Sequence, residues 1–287
     1  MLELENVNFK KLHKKDVKIL VDWAEAEGWN PGKDDFNVFW KTDPDGFYGC
    51  YFNDTLIAGG AIISYHAKYG FMGLFIVHPK YRGIGIGKKL WHFRKNFLLQ
   101  RLKKGAAIGM DGVVEMQPFY EKGGFTIAFR DERYECVGQN ALISNCISVT
   151  EFNDFEKLLN YDIECFGFKR LDFLKNWLTI PNSKSFKYME NNSLKGYAVI
   201  RKVKLGYKIG PLFADNPDIA EALFKACLDS AVGKLIYIDI PVINKEAMNL
   251  VRKYNARYVF ECARMYYGEK PKTAIDKVYG ITTFELG

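Results

Sequence analysis

Residues 75–91 read Phe-Ile-Val-His-Pro-Lys-Tyr-Arg-Gly-Ile-Gly-Ile-Gly-Lys-Lys-Leu-Trp, and no other segment constrains the fold as much. An apolar run from Tyr69 to Val77 breaks at Pro79 and gives way to Gly83, Gly85 and Gly87. An amphipathic pattern then begins, with Leu90, Phe93, Phe97 and Leu98 on one face. That order predicts a strand, a glycine-rich turn and a helix N-terminus, which is the grammar of an α/β chain. Successive backbone N–H groups in such a turn point into one concavity, and the helix dipole adds partial positive charge there. Glycine is needed because a Cβ would block the approach of phosphate oxygens. With Arg82, Lys88 and Lys89 at its rim, the segment is suited to holding a pyrophosphate.

The spacing excludes two common phosphate loops. A dinucleotide fingerprint needs Gly-x-Gly-x-x-Gly directly after a strand, and here the third glycine comes one residue early and Pro79 intervenes. A Walker A loop needs four residues between its glycines followed by Lys and Ser/Thr, and Lys89 stands where Ser/Thr should. The pattern that remains is Arg-x-x-Gly-x-Gly/Ala behind Val-x-Pro, met by Arg82, Gly85 and Gly87 behind Val77-His78-Pro79. This resembles the acetyl-CoA loop of the GNAT superfamily of acyl-CoA N-acetyltransferases; an ordinary glycine-rich turn is the alternative. The resemblance implies an α/β (α+β) GNAT fold, a mixed central sheet flanked by helices. It also implies acetyl-CoA as cosubstrate, held by the backbone of Ile76 and Val77 and by the loop Arg82, Gly83, Ile84, Gly85, Ile86, Gly87 and Lys88.

In that family the amine attacks the thioester directly in a ternary complex. The segment Phe119-Tyr120-Glu121-Lys122-Gly123-Gly124-Phe125 resembles the family's Tyr-Glu-Lys-x-Gly-Phe stretch, which makes Tyr120 the expected proton donor to the leaving sulfur; the other reading is an aromatic packing residue. The family often has Asn seven residues earlier, where this chain has Val113. No Glu or His lies between Phe71 and Val77 to serve as base. Asp111 is the candidate, with Glu27, Glu115 or a water as alternatives, and Asp111 could equally be a turn-former with Gly112.

Composition narrows the rest. The 287 residues fit one large or two ordinary domains, and 48% hydrophobic content is ample for packed cores. No run of eighteen apolar residues exists to cross a bilayer, and Met1 to Asn6 is acidic without a secretory apolar core, so a cytoplasmic protein is expected. Six scattered cysteines without a Cys-x-x-Cys pair read as free thiols, and four histidines without ligand spacing predict no metal. A net charge of +7 is spread along the chain rather than gathered into a basic stripe, which favours an anionic cofactor over nucleic acid.

Residues 1–138 read as the acetyl-CoA-binding domain, 139–148 as a linker and 149–287 as a second copy of the same order of elements. The first copy is expected to close its sheet with two strands, Phe125 to Phe129 and Tyr134 to Val137, and the second with Tyr258 to Glu261 and Arg264 to Tyr267. In the second copy the strand Tyr207 to Gly210 runs into Pro211 to Asp218 with no glycine cradle, and Asp215 and Asp218 would repel phosphate. The chain thus resembles a tandem GNAT protein with a degenerate C-terminal domain. A small-molecule amine (amino acid, polyamine or metabolite) is the expected acceptor, with Tyr197, Asp239 or Arg264 lining its pocket. A peptide acceptor, a CoA-binding regulatory role without turnover and a homodimer all remain open.

Overall fold

The computed structural model describes residues 7–287; the acidic start, Met1 to Asn6, lies outside the described residues. The first half runs β1 (Asn8–Lys11), α1 (Lys14–Ala26), α2 (Asp35–Thr42), β2 (Phe47–Phe52), β3 (Thr55–Tyr65), β4 (Tyr69–Val77), α3 (Ile86–Arg101), β5 (Ala107–Val113), α4 (Gln117–Lys122) and β6 (Thr126–Val137). The second half repeats that order: β7 (Ile147–Val149), α5 (Phe155–Phe166), α6 (Leu171–Trp177), β8 (Ser183–Glu190), β9 (Ser193–Lys202), β10 (Tyr207–Ala214), α7 (Pro217–Asp229), β11 (Leu235–Pro241), α8 (Lys245–Lys253) and β12 (Arg257–Tyr267). A final short strand, β13 (Val278–Gly280), follows.

Local chemistry accounts for many of the boundaries. Asn53 and Asp54 turn the β2–β3 hairpin with φ of 45° and 59°, the left-handed pair that a two-residue turn of matching twist needs. Asn216 caps α7 by accepting from Ile219 N at 3.0 Å, with Pro217 in the first turn. Asn244 caps α8 by accepting from the Glu246 and Ala247 amides. Helix α2 was not legible from the pattern; it is held by tertiary contacts, with buried Asp35 paired to Arg201 of β9 at 3.1 Å.

All thirteen strands among the described residues join one sheet in the order β1-β2-β3-β4-β5-β12-β6-β11-β10-β9-β8-β7, with β13 beside β10. The expectation that each half closes its own sheet with two strands is corrected here. Each closing segment is one long strand, and the two strands change places. Strand β12 of the second half lies between β5 and β6, and β6 of the first half lies between β12 and β11. The charged run Arg130-Asp131-Glu132-Arg133 looks like a break between strands. It is tolerated mid-strand because its arginines find carboxylates across the exchange, Arg133 with Asp239 and Arg130 with Glu261.

Each half therefore finishes the other's core. Phe168 stacks on Tyr69 with ring centroids 4.3 Å apart, and Phe166 meets Tyr65 and Tyr69 edge-on. Ion pairs Arg264–Asp111 and Arg201–Asp35 also cross between halves with buried partners. Among the described residues no helix is long and apolar enough to cross a membrane.

Candidate active site

Strands β4 and β5 pair in parallel only over Tyr69–Phe71 and Ala107–Gly109, then part. Past that point β4 bulges. Its register with β3 jumps between Gly73 and Ile76, and Leu74 sits at φ 47°, left-handed for a branched residue. The parted strands leave Ile76 and Val77 without a strand neighbour on the β5 side, where an extended ligand could pair as an added strand.

The glycine-rich turn stands at the open end of this gap. Gly83 and Gly85 adopt φ of 80° and 87°, and Gly85 is the residue before α3. A Cβ on Gly83 would meet no atom of the chain within 4 Å, so the concavity is open to a ligand. The side chain of Arg82 is fixed across the turn: Nε donates to Val77 O at 2.8 Å, and the guanidinium also pairs with Glu27. Arg82, Gly83, Gly85, Gly87 and Lys88 line one cleft with Ile76 and Val77. The side chain of Ile84 is exposed, while that of Ile86 is buried in the core and leaves only its backbone to a ligand.

The cleft encloses about 630 Å³. Tyr120 reaches it from α4, stacked on Trp91 at 6.2 Å, with burial pushing its phenol up to about 12 and Arg94 pulling the other way. The hydroxyl is therefore neutral and protonated through the physiological range. Asp111 also borders the cleft, but its two oxygens are engaged by Arg264 at 2.6 and 3.0 Å. Burial pushes the Asp111 carboxyl up to about 6, against the opposing pull of that guanidinium. Glu27 and Glu115 border the cleft as well, Glu27 occupied by Arg82 and Glu115 exposed.

The expected acceptor-side residues need correction. Tyr197 is buried and donates to Asp162 at 2.6 Å, while Asp239 and Arg264 are held in ion pairs with Arg133 and Asp111. None of the three lines the cleft: Tyr197 is spent inside the second half, and Asp239 and Arg264 are spent joining the halves. Trp29, Phe260, Phe284 and Glu285 line the cleft, none of them named for it by the sequence reading. Phe284 and Glu285 lie on the segment 281–287, which leaves β13 and lies against β4 at Gly73. No spacing rule could have placed them there, since the segment is distant in sequence from everything it touches.

Arg94 is a second residue that pattern reading passed over. It sits at helical spacing from Trp91 and Leu98 on the buried face of α3, a position where a charge is a signal. Its Nη2 donates to the carbonyls of Ala61 and Gly73, bracing both sides of the bulge, while among the described residues Nε and Nη1 have no hydrogen-bond partner. Burial pulls its guanidinium down to about 9, so it is still cationic at neutral pH beside Tyr120.

The second half has no equivalent opening. Strands β10 and β11 pair in parallel over Tyr207–Ile209 and Ile236–Ile238, but β13 then runs along β10, with Leu212 opposite Gly280 and Phe213 opposite Val278. Ile281 N continues the insertion by donating to Asp239 O of β11 at 2.8 Å. Asp215, where a phosphate loop would start, is tied to Tyr161, Lys195 and Lys277.

Two family models match the chain: acetyltransferase (GNAT) family over residues 14–125 and acetyltransferase (GNAT) domain over residues 158–280. A holothin acyltransferase of Pseudoalteromonas sp. (strain SANK 73390) is 27% identical across 100% of this chain and 97% of its own length. A crystal structure from Pyrococcus horikoshii, assigned as an acetyltransferase, superposes with a TM-score of 0.85 at 23% identity, covering 100% of this chain and 98% of that one. A tandem GNAT protein from the clavulanic acid biosynthesis pathway gives a TM-score of 0.65 at 11% identity, covering 93% and 99%. The solved structures share the fold.

Proposed function

Because the chain belongs to the GNAT acetyltransferases, as two GNAT domains in tandem, we propose that it transfers an acetyl group from acetyl-CoA to the amine of a small molecule. The contrast between the two halves carries this reading. The first half keeps an open glycine cradle at parted strands, and the second fills the same gap with its own β13. One acetyl-CoA site per chain follows, with the second half serving as wall and core partner. An acyltransferase named for holothin also spans both halves, which supports the pair as the working unit.

In this mechanism the amides of the Gly83–Lys88 turn and the charges of Arg82 and Lys88 hold the pyrophosphate. Arg82 exchanges Glu27 for phosphate as the ligand enters. The open β5-side edge of β4 at Ile76 and Val77 takes up the pantetheine amides. Arg94 keeps the bulge at Leu74 in place, which fixes where the thioester lies. Tyr120 gives its hydroxyl proton to the departing sulfur. Asp111 orients Arg264 and through it the exchanged strand β12. Trp29, Phe260 and Phe284 give part of the cleft an aromatic lining, which favours a compact, partly apolar acceptor. Six free cysteines among the described residues agree with a reducing cytoplasm.

The test is thiol release from acetyl-CoA with a panel of amines and peptides, alongside calorimetry of CoA binding. A single CoA site, lost in Gly85→Glu, with turnover on free amines is expected. Two equal sites, or unchanged affinity in that variant, would refute the one-cradle reading. Turnover on peptides alone would refute the small acceptor.

A further inference from the structure

One task in the reaction has no residue yet: accepting the proton that a protonated amine must lose before its lone pair can attack. Resting on the proposed acetyl transfer, we propose that Glu285 is the general base and the seat of the acceptor's ammonium group, and that the acceptor is a compact monoamine with an apolar body.

The carboxylates that border the cleft differ in what they are free to do. Asp111 is bound at both oxygens by Arg264 at 2.6 and 3.0 Å, Glu27 stands beside Arg82 at the glycine-turn end of the cleft, and Glu115 is exposed. Glu285 is 3% exposed yet lines the cleft. One of its oxygens accepts the Thr283 hydroxyl; among the described residues the other accepts no hydrogen bond. Its own backbone lies at Gly73, the residue where β4 bulges, so the side chain is carried to the parted strands rather than to the phosphate end.

The surroundings define the acceptor. Phe260 and Phe284 meet edge-on with centroids 5.7 Å apart, and Trp29 and Leu74 complete the lining beside Glu285. Behind the two phenylalanines stands the guanidinium of Arg133, 4.6 and 5.4 Å from their rings. One ammonium can meet Glu285, while a second on the same molecule would lie against apolar rings whose faces are already engaged by the Arg133 guanidinium.

The step balances as follows. The ammonium gives one proton to Glu285, which passes it to solvent. The freed lone pair forms the N–C bond to the acetyl carbonyl. The C–S bond breaks with its electron pair on sulfur, which takes the Tyr120 proton. The second proton leaving nitrogen restores Tyr120 through solvent, giving the amide, the free thiol and one released proton.

The test uses the full chain, acetyl-CoA and three probes: 2-phenylethylamine, spermidine and a lysine-containing peptide. Wild type should use 2-phenylethylamine with kcat/KM at least about tenfold above spermidine. Glu285→Gln should lower kcat by roughly 10²- to 10⁴-fold near pH 7 with CoA affinity unchanged. In that variant the rate should climb about tenfold per pH unit toward the pKa of the free amine, where wild type is flatter. Glu285→Asp should recover part of the rate, and Thr283→Val should give an intermediate loss. An unchanged pH profile in Glu285→Gln, or a parallel loss of CoA affinity, overturns the base assignment; a preference for spermidine or the peptide overturns the acceptor class. If wild type releases no thiol with any probe, the acetyl-transfer reading falls and this one with it. Turnover by wild type and Glu285→Gln alike sinks the base alone.

Discussion

Replacing Gly73 with alanine should unseat the segment that carries Glu285. The new Cβ would lie 1.8 Å from the carbonyl oxygen of Glu285, 2.7 Å from its carbonyl carbon and 3.1 Å from its Cα. These are backbone atoms, so no rotamer change relieves the clash and the segment must move. Its anchors are few. Leu286 is fully buried, which is worth about 1.5–3 kcal/mol. Tyr65 Oη donates to Leu286 O at 2.8 Å in a buried setting, about 1 kcal/mol net. Arg170 donates to Gly287 O at 2.7 Å, and a bond from a charged donor contributes about 1.5–3 kcal/mol. Full release would lose about 4–7 kcal/mol, and partial relaxation leaves about 3–5 kcal/mol. Thermal unfolding should then begin roughly 6–20 °C lower, at the two to four degrees per kcal/mol expected of a chain this size. CoA affinity should survive, since the phosphate turn lies at the other end of the cleft, while acetyl transfer should fall with the loss of Glu285. Differential scanning calorimetry and the thiol-release assay read the two effects. A variant melting within about 2 °C of wild type with full turnover would show that the segment is not held against β4 as described.

Three further outcomes are expected. Tyr120→Phe should keep the fold and CoA affinity and lower kcat by about ten- to a thousand-fold; an unchanged kcat would reduce Tyr120 to the stacking partner of Trp91. Lys208 is buried, and burial first and then Arg133 pull its ammonium down to about 7, with Asp239 and Glu285 opposing and Arg201 adding to the effect. The unfolded chain therefore holds this proton longer than the folded one, so from about pH 7 to 10 this group makes stability rise with pH, by up to about 1.4 kcal/mol per unit. Lys208→Met should remove that slope, and urea midpoints that still climb identically would refute it. A chain ending at Gln139 lacks β12, leaving the facing edges of β5 and β6 unpaired; it should aggregate, and a soluble, fully active fragment would contradict the strand exchange.

Much of the first half could be read directly because its signals are local. The hairpin at Asn53-Asp54, strand β4, the glycine turn and helix α3 each follow from residues within a few positions of one another. The duplication was legible from element order, and the missing cradle of the second half from Asp215 standing where glycine would be needed. Reading failed where the determining partner is distant. Arg130 to Arg133 look like a loop until Glu261 and Asp239 are brought alongside, and Asp239 and Arg264 look like pocket residues until their ion pairs appear. The acceptor wall had no local signal at all.

By itself the sequence determined the α/β order, the tandem repeat and the glycine-rich turn before α3, since backbone conformation at glycines and the spacing of apolar residues act over short range. Tertiary structure alone decided that β6 and β12 trade places, that β13 fills the second gap, and that Glu285 arrives beside Gly73. Those outcomes depend on which strand edge or buried charge finds its complement far along the chain, and no run of neighbouring residues encodes that choice.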